Sequence, residues 1–274
     1  MSEKTYNEVL DIKNPIIKQL YWHIAFGLQE VDGLKPSKYM IELSNSHIKG
    51  EKTYKEVENE IIKYYSKNQE NNDYLEADVV STNIYEILSD NSFRFDYLTF
   101  KNYHKKLFEN LDKDIYNPGE FRTYNITKDE EILENDTVIY QSYDLIEETL
   151  KYDFKEEKEI DYISFTKEGL IDRITEFTSR IWQIHPFQEG NTRTTAIFIQ
   201  KYLINMGFDV NNDLFKDNSL YFRNALVRAN YINYNKGVKE DKKYLKMFFE
   251  NLLLNKNNEL NNKDLYINIK KEII

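Results

Sequence analysis

Apolar residues recur at helical spacing along most of the chain, which predicts a mostly helical fold. The clearest pattern lies in residues 167–184, where apolar side chains from Leu170 onward fall at i, i+1, i+4, i+7, i+11 and i+12. This spacing places them on one face of a helix of about five turns. The 274 residues include only 4 prolines and 8 glycines, so few positions interrupt such helices. All-β and doubly wound architectures are therefore disfavoured.

The first of these helices should stop at Pro186, because proline cannot continue a helix. A second helix is predicted to begin near Asn191 and to run to about Met206, where Gly207 supplies the stop. The stretch 196–199 is apolar nearly all round, which is typical of a buried central helix. Two long helices therefore flank a short loop that begins at His-Pro-Phe.

One segment has the character of β-structure. Residues 121–141 carry β-branched and aromatic side chains on both sides of an acidic turn from Asp129 to Asp136. This pattern predicts a β-hairpin with a long tip. The acidic tip is either a docking element or a solvated loop, and the sequence favours the solvated loop.

Helix start signals and a polar stretch in the first 73 residues predict a separate small module. Lys35-Pro36-Ser37 resembles a helix start, and the helical pattern resumes from Tyr54 to Tyr65. Residues 66–73 are polar enough to be a linker. We therefore predict an N-terminal helical module at 1–73 and a core at 74–274.

Composition narrows the class of protein. Apolar residues make up 41% of the chain, which is enough for a sizeable core. The net charge of -10 argues against a nucleic-acid partner, because it repels a phosphate backbone. The chain has no cysteine, which excludes disulfides, thiolate nucleophiles and Cys-based zinc sites. No apolar run approaches the ~20 residues of a membrane span, so we expect a cytoplasmic protein without a membrane partner.

The loop between the two long helices carries the candidate chemistry. If the second helix begins at Asn191, the backbone N–H groups of residues 190–193 are free and form an anion site suited to a diphosphate. Gly190 lets the backbone approach a phosphate closely. Arg193, on the first turn, can reach the same anion with its fork of donors. The sequence thus predicts a phosphate site at this helix end.

Two further residues complete the predicted site. Glu189 beside a bound phosphate would be repelled unless a cation lay between them, and Mg²⁺ is the usual solution. His185 has an ordinary pKa near ~6.5 and can act as a general base at neutral pH. Phe187 is expected to turn inward and to anchor the loop.

Each of these residues also has a structural explanation. A histidine after a helix is usually structural, and a glutamate or arginine near a helix start often forms a local ion pair. The joint pattern His-x-Phe-x-acid-Gly-Asn-x-Arg, however, has a random probability of roughly 10⁻⁸ per position at average residue usage. We therefore interpret the residues as one functional set.

This pattern resembles the signature of the Fic (Fic/DOC) family, HxFx(D/E)GNxR. Residues 121–141 look like the family's flap hairpin, and residues 76–108 resemble the helices packed before it. The resemblance implies a helical fold with one hairpin and a protein adenylyltransferase. Such an enzyme transfers AMP from ATP to a Tyr, Thr or Ser hydroxyl of a target protein, and also to itself.

The resemblance also implies roles for individual residues. The predicted catalytic residues are His185, Asn191 and Arg193. The predicted nucleotide-binding residues are Phe187, Gly190, Asn191, Thr192 and Arg193. Glu189 is the predicted ligand of Mg²⁺, with ATP as the co-substrate. The assembly state is open, with a homodimer as one option.

Two positions depart from the fullest motif, HxFx(D/E)GNGRxxR. Thr192 replaces the second glycine, which is a mild change whose hydroxyl can join the anion site. Ala196 replaces the second arginine, which in the family binds the γ-phosphate or the glutamate of an inhibitory helix. Without it an intruding carboxylate would lose its charged partner, so we expect self-inhibition to be weak or absent.

Three segments resemble an inhibitory helix in part. Residues 66–71 match its pattern literally, and residues 82–86 match its first half. Residues 27–33 and 46–51 resemble a fused antitoxin-like module, with Leu28 and Asp32 at the inhibitory Ser and Glu positions.

Three functions remain open from the sequence. The first is the adenylyltransferase, and the second is a transferase on the same fold with another diphosphate donor, such as a phosphocholine donor, favoured by Ala196. The third is a non-catalytic nucleotide-binding module of toxin–antitoxin type. Outside the loop, Arg122 and Tyr124 could touch nucleotide or target, and residues 221–231 could line an adenosine pocket.

Overall fold

The computed structural model describes residues 12–67, 72–210 and 213–267. Within these residues the fold is mostly helical, as predicted, with eleven α-helices and no β-strand. The helices are α1 Pro15–Gly27, α2 Lys38–Ile48, α3 Tyr54–Lys67, α4 Leu75–Ser89, α5 Tyr97–Leu107, α6 Lys113–Tyr116, α7 Ile146–Lys158, α8 Lys167–Ile184, α9 Asn191–Asn205, α10 Leu214–Asn230 and α11 Lys243–Leu254.

Helices α8 and α9 have the bounds that the sequence predicts. The Thr166 hydroxyl caps α8 by accepting a hydrogen bond from the Gly169 N–H at 3.1 Å. At the start of α9, the hydroxyls of Thr194 and Thr195 bond to the carbonyls of Gly190 and Asn191. Residues 191–203 of α9 are all buried, so the prediction of a central helix is confirmed.

Helix α9 is enclosed by α4, α5 and α8. Helix α1 packs against α4 and α10, and a 3₁₀ turn at Leu28–Asp32 carries the chain from α1 onto α9 and α10. One cluster of buried apolar side chains extends from Leu20 in α1 to Leu265 near the C-terminal end of the described chain. The residues before α4 thus share a core with those after it.

The predicted division after residue 73 falls beside residues 68–71, which lie outside the described residues. The inhibitory pattern at 66–71 falls largely in the same gap. The division into two parts therefore stays a prediction. The predicted helix start at Ser37 is confirmed, since its hydroxyl caps α2 by accepting from the Met40 N–H at 3.0 Å.

The predicted β-hairpin at 121–141 is not confirmed. Among the described residues this segment contains a single antiparallel bridge, between Glu130 and Asp136. The arm at 139–141 pairs with the end of α8 instead, because the Gln183 amide donates to the Ile139 carbonyl at 3.1 Å and the Gln141 N–H bonds to the Gln183 carbonyl at 3.4 Å. We call residues 121–142 the flap segment. In the part of the chain described, no helix is long and apolar enough to span a membrane.

Candidate active site

The loop between α8 and α9 makes two sharp turns. His185 follows α8 with φ 48° and ψ 57°, and its N–H bonds to the Trp182 carbonyl at 3.0 Å. Gly190 precedes α9 with φ 72° and ψ 13°. Both are left-handed conformations, which glycine adopts freely and histidine does not. His185 is therefore held in a strained backbone conformation at the start of the loop.

Gly190 is required by the space around it as well as by its backbone angle. A Cβ atom built on Gly190 would lie 2.3 Å from the Phe108 ring. The aromatic ring thus packs directly against the backbone at the start of α9. No other amino acid fits this position without displacing Phe108.

Asn191 holds the loop in shape. Its Oδ1 accepts a hydrogen bond from the Phe187 N–H at 2.9 Å, and its Nδ2 donates to the Phe187 carbonyl at 2.9 Å. Both side-chain groups of Asn191 are thus used inside the loop, rather than being aimed at a phosphate. Only the backbone N–H of Asn191 therefore remains for the anion site that the sequence predicts.

Phe187 is fully buried, which confirms its predicted role as an anchor. Its ring stacks on His104 in α5 with centroids 3.7 Å apart and planes 3° from parallel. His104 accepts from the Gly119 N–H at Nδ1 (2.9 Å) and contacts the Glu189 carbonyl through Nε2 (3.1 Å), so Nε2 carries the proton. Burial lowers the pKa of His104 to about 3, in keeping with a neutral structural histidine.

The imidazole of His185 lies between two aromatic rings. Tyr140 of the flap segment is 4.2 Å away between centroids, and Trp182 of α8 meets it edge-on at 5.2 Å. The His185 Nδ1 atom is buried and has no hydrogen-bond partner among the described residues. Burial is the main cause that lowers the pKa of His185 to about 3, and the positive charges of Lys128 and Arg122 add to it. The imidazole is therefore neutral at neutral pH.

Thr192 takes part in this arrangement from the other end of the loop. Its hydroxyl oxygen accepts a hydrogen bond from the Trp182 indole N–H at 3.0 Å. The side chain is buried against α8. The Thr192 hydroxyl, which was predicted to join the anion site, is therefore hydrogen-bonded to Trp182.

Arg122 joins the flap segment to the end of α8. Its buried guanidinium donates to the His185 carbonyl at 2.8 Å and to the Tyr124 carbonyl at 2.6 Å, and it also reaches the carbonyls of Gln141 and Ile184. A cation at a helix C-terminus is stabilised by the negative end of the helix dipole. Arg122 thus supports the backbone of His185 and does not point toward a nucleotide.

Arg193 is fully buried and surrounded by acidic side chains. Its Nη2 atom lies 2.7 Å from Glu76 Oε1, and its Nε atom lies 3.0 Å from Asp32 Oδ2. The amide oxygen of Gln29 accepts from Nη1 at 3.1 Å. Burial alone would lower the pKa of Arg193, but Asp32 and Glu76 outweigh it and the pKa is raised.

Asp32 has a charged partner although Ala196 stands in place of the second arginine, because it pairs with Arg193. The expectation that self-inhibition is weak or absent stays a prediction. The 3₁₀ turn makes the pairing with Arg193 possible because Gly33, with φ 71°, ends it and leaves Asp32 facing α9. Ala196 itself is fully buried. Of the two antitoxin-like positions, Asp32 reaches the site, whereas Leu28 is a buried core residue.

Glu189 lies at the open side of the loop. Its side chain is 42% exposed, and its Oε1 accepts from the Gly190 N–H at 2.9 Å while lying 3.8 Å from Arg193 Nη2. The described residues contain no group of three or more His, Cys, Asp or Glu that could hold a metal. A single accessible carboxylate nevertheless suits Mg²⁺, which usually takes its other ligands from water and substrate phosphates.

The backbone at the start of α9 provides the remaining donors. The first internal hydrogen bond of the helix runs from the Thr194 N–H to the Gly190 carbonyl at 2.9 Å. The N–H groups of residues 191–193 therefore have no partner within the helix. The anion site stays a prediction, and of its four expected donors the Gly190 N–H is already bonded to Glu189.

Several residues of this site escaped the sequence reasoning. Trp182 contacts the loop from the end of α8, and four further residues reach it from distant parts of the chain: Glu76, Gln29, Tyr140 and Phe108. All five lie in segments that the sequence analysis marked, but none of them was predicted as a site residue. Of the weaker candidates, Tyr124 is half-exposed, and Asn224 in α10 bonds to Asn262 at 2.8 Å. Among the described residues, neither Tyr124 nor Asn224 contacts the loop.

A comparison with protein families covers this part of the chain. Residues 94–203 match the Fic/DOC family, and this range contains α5, the flap segment and the whole loop from His185 to Arg193. No curated protein matches the chain. Members of the matched family often transfer nucleotide or phosphate groups. Residues 94–203, which hold the loop from His185 to Arg193, are therefore similar to the Fic/DOC family.

Proposed function

We propose that this protein is an adenylyltransferase that moves AMP from ATP to a hydroxyl group of a target protein. The observation that carries the proposal is the pairing of a neutral imidazole at one end of the loop with a phosphate site at the other. His185 supplies the imidazole, and Arg193 with the free N–H groups of α9 supplies the phosphate site.

The reaction follows from these groups. The target oxygen attacks the α-phosphorus while its proton passes to His185, and the bond from phosphorus to the bridging β-phosphate oxygen breaks. Pyrophosphate leaves with the bonding electron pair. Arg193 and the N-terminus of α9 stabilise the negative charge on the phosphates. Glu189 would hold Mg²⁺, which would neutralise part of the leaving group's charge.

Asp32 competes with the nucleotide in this scheme. Its carboxylate lies where a phosphate oxygen would meet Arg193. Nucleotide binding must therefore displace Asp32 or share the guanidinium with it. This competition makes the described conformation a resting state of the proposed enzyme.

The proposal is tested by incubating the protein with Mg²⁺ and ATP radiolabelled at the α-phosphate, alone and with a lysate. We expect label on protein from the wild type and a loss of at least about 100-fold in His185→Gln. His23→Gln is the matched control, because His23 is a partly exposed histidine far along the chain that pairs with Asp213. Equal labelling by wild type and His185→Gln would overturn the proposal, and nucleotide binding without any transfer would indicate a binding module.

A second donor is favoured by one observation. Ala196 is buried and offers no charge to a γ-phosphate, so Arg193 is the single motif arginine left to bind the phosphates. A nucleotide diphosphate donor such as a CDP compound demands no third phosphate site. Comparing transfer from ATP with transfer from CDP-choline decides between them, and a preference for the latter would replace adenylyl transfer by phosphocholine transfer.

A further inference from the structure

Trp182 bridges the two ends of the catalytic loop. Its backbone carbonyl accepts the N–H of His185 at 3.0 Å, and its indole N–H donates to Thr192 at 3.0 Å. The indole is 1% exposed. Trp182 thus bonds to His185 through its backbone and, through its side chain, to Thr192 in the first turn of α9, ten residues along the chain from Trp182.

The imidazole of His185 depends on packing for its orientation. A catalytic histidine is commonly oriented by a hydrogen bond to the nitrogen that does not react. Here Nδ1 has no such partner among the described residues. The T-shaped contact with Trp182 at 5.2 Å and the tilted contact with Tyr140 at 4.2 Å are the ring contacts of His185 among the described residues.

We propose that Trp182, held in place by Thr192, is a positioning residue that fixes the imidazole of His185 for proton transfer. This inference rests on the proposed function. Thr192 stands where the resembled motif has glycine, which could not accept the indole hydrogen bond. Thr192 therefore provides a hydrogen-bond acceptor that glycine lacks. Through this bond it determines where Trp182 lies, and Trp182 in turn determines where His185 lies.

The structural half of the test needs no activity. The chain has only two tryptophans, so ¹⁵N-labelled protein gives two indole N–H signals, and Trp182→Phe assigns the one that belongs to the loop. In Thr192→Val, which keeps the shape but loses the acceptor, this N–H should exchange with solvent at least about tenfold faster. Thr192→Ser restores an acceptor and should recover most of the protection. The ring signals of His185 should shift in Thr192→Val and Trp182→Phe.

The catalytic half measures AMP transfer with the same variants. Displacement of the base should lower kcat by roughly tenfold in Thr192→Val and in Trp182→Phe, with KM for ATP changed less than twofold. The double variant should be no slower than Trp182→Phe, because both changes break one connection. Trp22→Phe is the matched control, since Trp22 is also a buried indole donor but bonds to His47 at 3.0 Å in another part of the fold.

The outcomes separate this inference from the proposed function. If the His185 signals are unmoved by Thr192→Val and Trp182→Phe, the positioning role is wrong whatever the enzyme does. If they move while kcat stays at the wild-type value, the role is also wrong. If the wild type transfers nothing, the adenylyltransferase proposal fails, and the signals of His185 alone decide whether Trp182 orients the ring.

Discussion

Residues 185–190 turn the chain through two left-handed positions, and only the second is glycine. Replacing Gly190 by alanine adds both backbone strain and a clash with Phe108 at 2.3 Å. We expect the free energy of unfolding to fall by about 2–4 kcal/mol, with about 1 kcal/mol from the backbone and the rest from overpacking. Gly207→Ala is the matched control, because Gly207 has φ 89° and no atom near its Cβ position. Equal losses in chemical denaturation would contradict the steric role of Phe108.

The protonation of His185 predicts an unusual pH dependence. Burial, with Lys128 and Arg122, lowers its pKa from 6.5 to about 3, so the imidazole stays neutral as the pH falls through 6.5 and is protonated only near 3. Transfer at saturating ATP should therefore show no inflection near pH 6.5 when measured between about pH 5 and about pH 8. A loss of activity with a midpoint at the ordinary value would show that the site opens to water before reaction.

At the scale of single residues, the sequence predicted the types of group but not their partners. His185, Glu189 and Arg193 were found because they stand close together in one motif. Glu76 and Asp32 lie more than a hundred residues away along the chain, and only packing brings them to Arg193. No local pattern marks Glu76 as a site residue, and the antitoxin-like segment marks Asp32 without indicating that Arg193 is its partner.

The 3₁₀ turn after α1 acts on the site as an element, because it delivers Asp32 to Arg193. Asp32→Asn removes a negative charge from the guanidinium and should tighten ATP binding by roughly threefold to tenfold, equivalent to about 1 kcal/mol, with a parallel rise in transfer rate. Calorimetry with a non-hydrolysable ATP analogue measures the affinity. Glu30→Gln, an exposed charge change on the same turn, should leave it unaltered. Weaker binding by Asp32→Asn would mean that Asp32 orients Arg193 for the nucleotide.

Helices and flap differ in how well the sequence predicted them. Helices α8 and α9 follow from hydrophobic spacing and a proline, which are local signals. The flap segment has the residues of a strand, but Arg122 and Gln183 take the carbonyls that a hairpin ladder would use. A strand pattern describes side chains that suit a sheet, and it does not say which backbone groups will be available.

For the whole molecule, the shared core predicts one cooperative unfolding transition. Gly27 of α1 lies so close to α10 that an added Cβ would be 2.4 Å from the Lys216 Cα, so the two helices cannot separate without exposing buried surface. In Trp22→Phe the tryptophan fluorescence comes from Trp182, which lies after residue 73. In Trp182→Phe it comes from Trp22, which lies before residue 73. Each denaturation curve should coincide with the circular dichroism curve of the same variant. A fluorescence transition displaced from the circular dichroism curve would support an independently folding N-terminal module.

Phe108 lies beneath the proposed phosphate site, since Arg193 lies 5.2 Å above its ring and Gly190 packs against the ring. An aromatic floor keeps water and mobile ions away from one side of the guanidinium. Surface charges lose much of their attraction beyond a Debye length of about 8 Å at physiological salt, whereas buried charges are screened far less. Binding of a phosphate at this proposed site should therefore persist at ionic strengths that would release the same anion from a lysine on the surface.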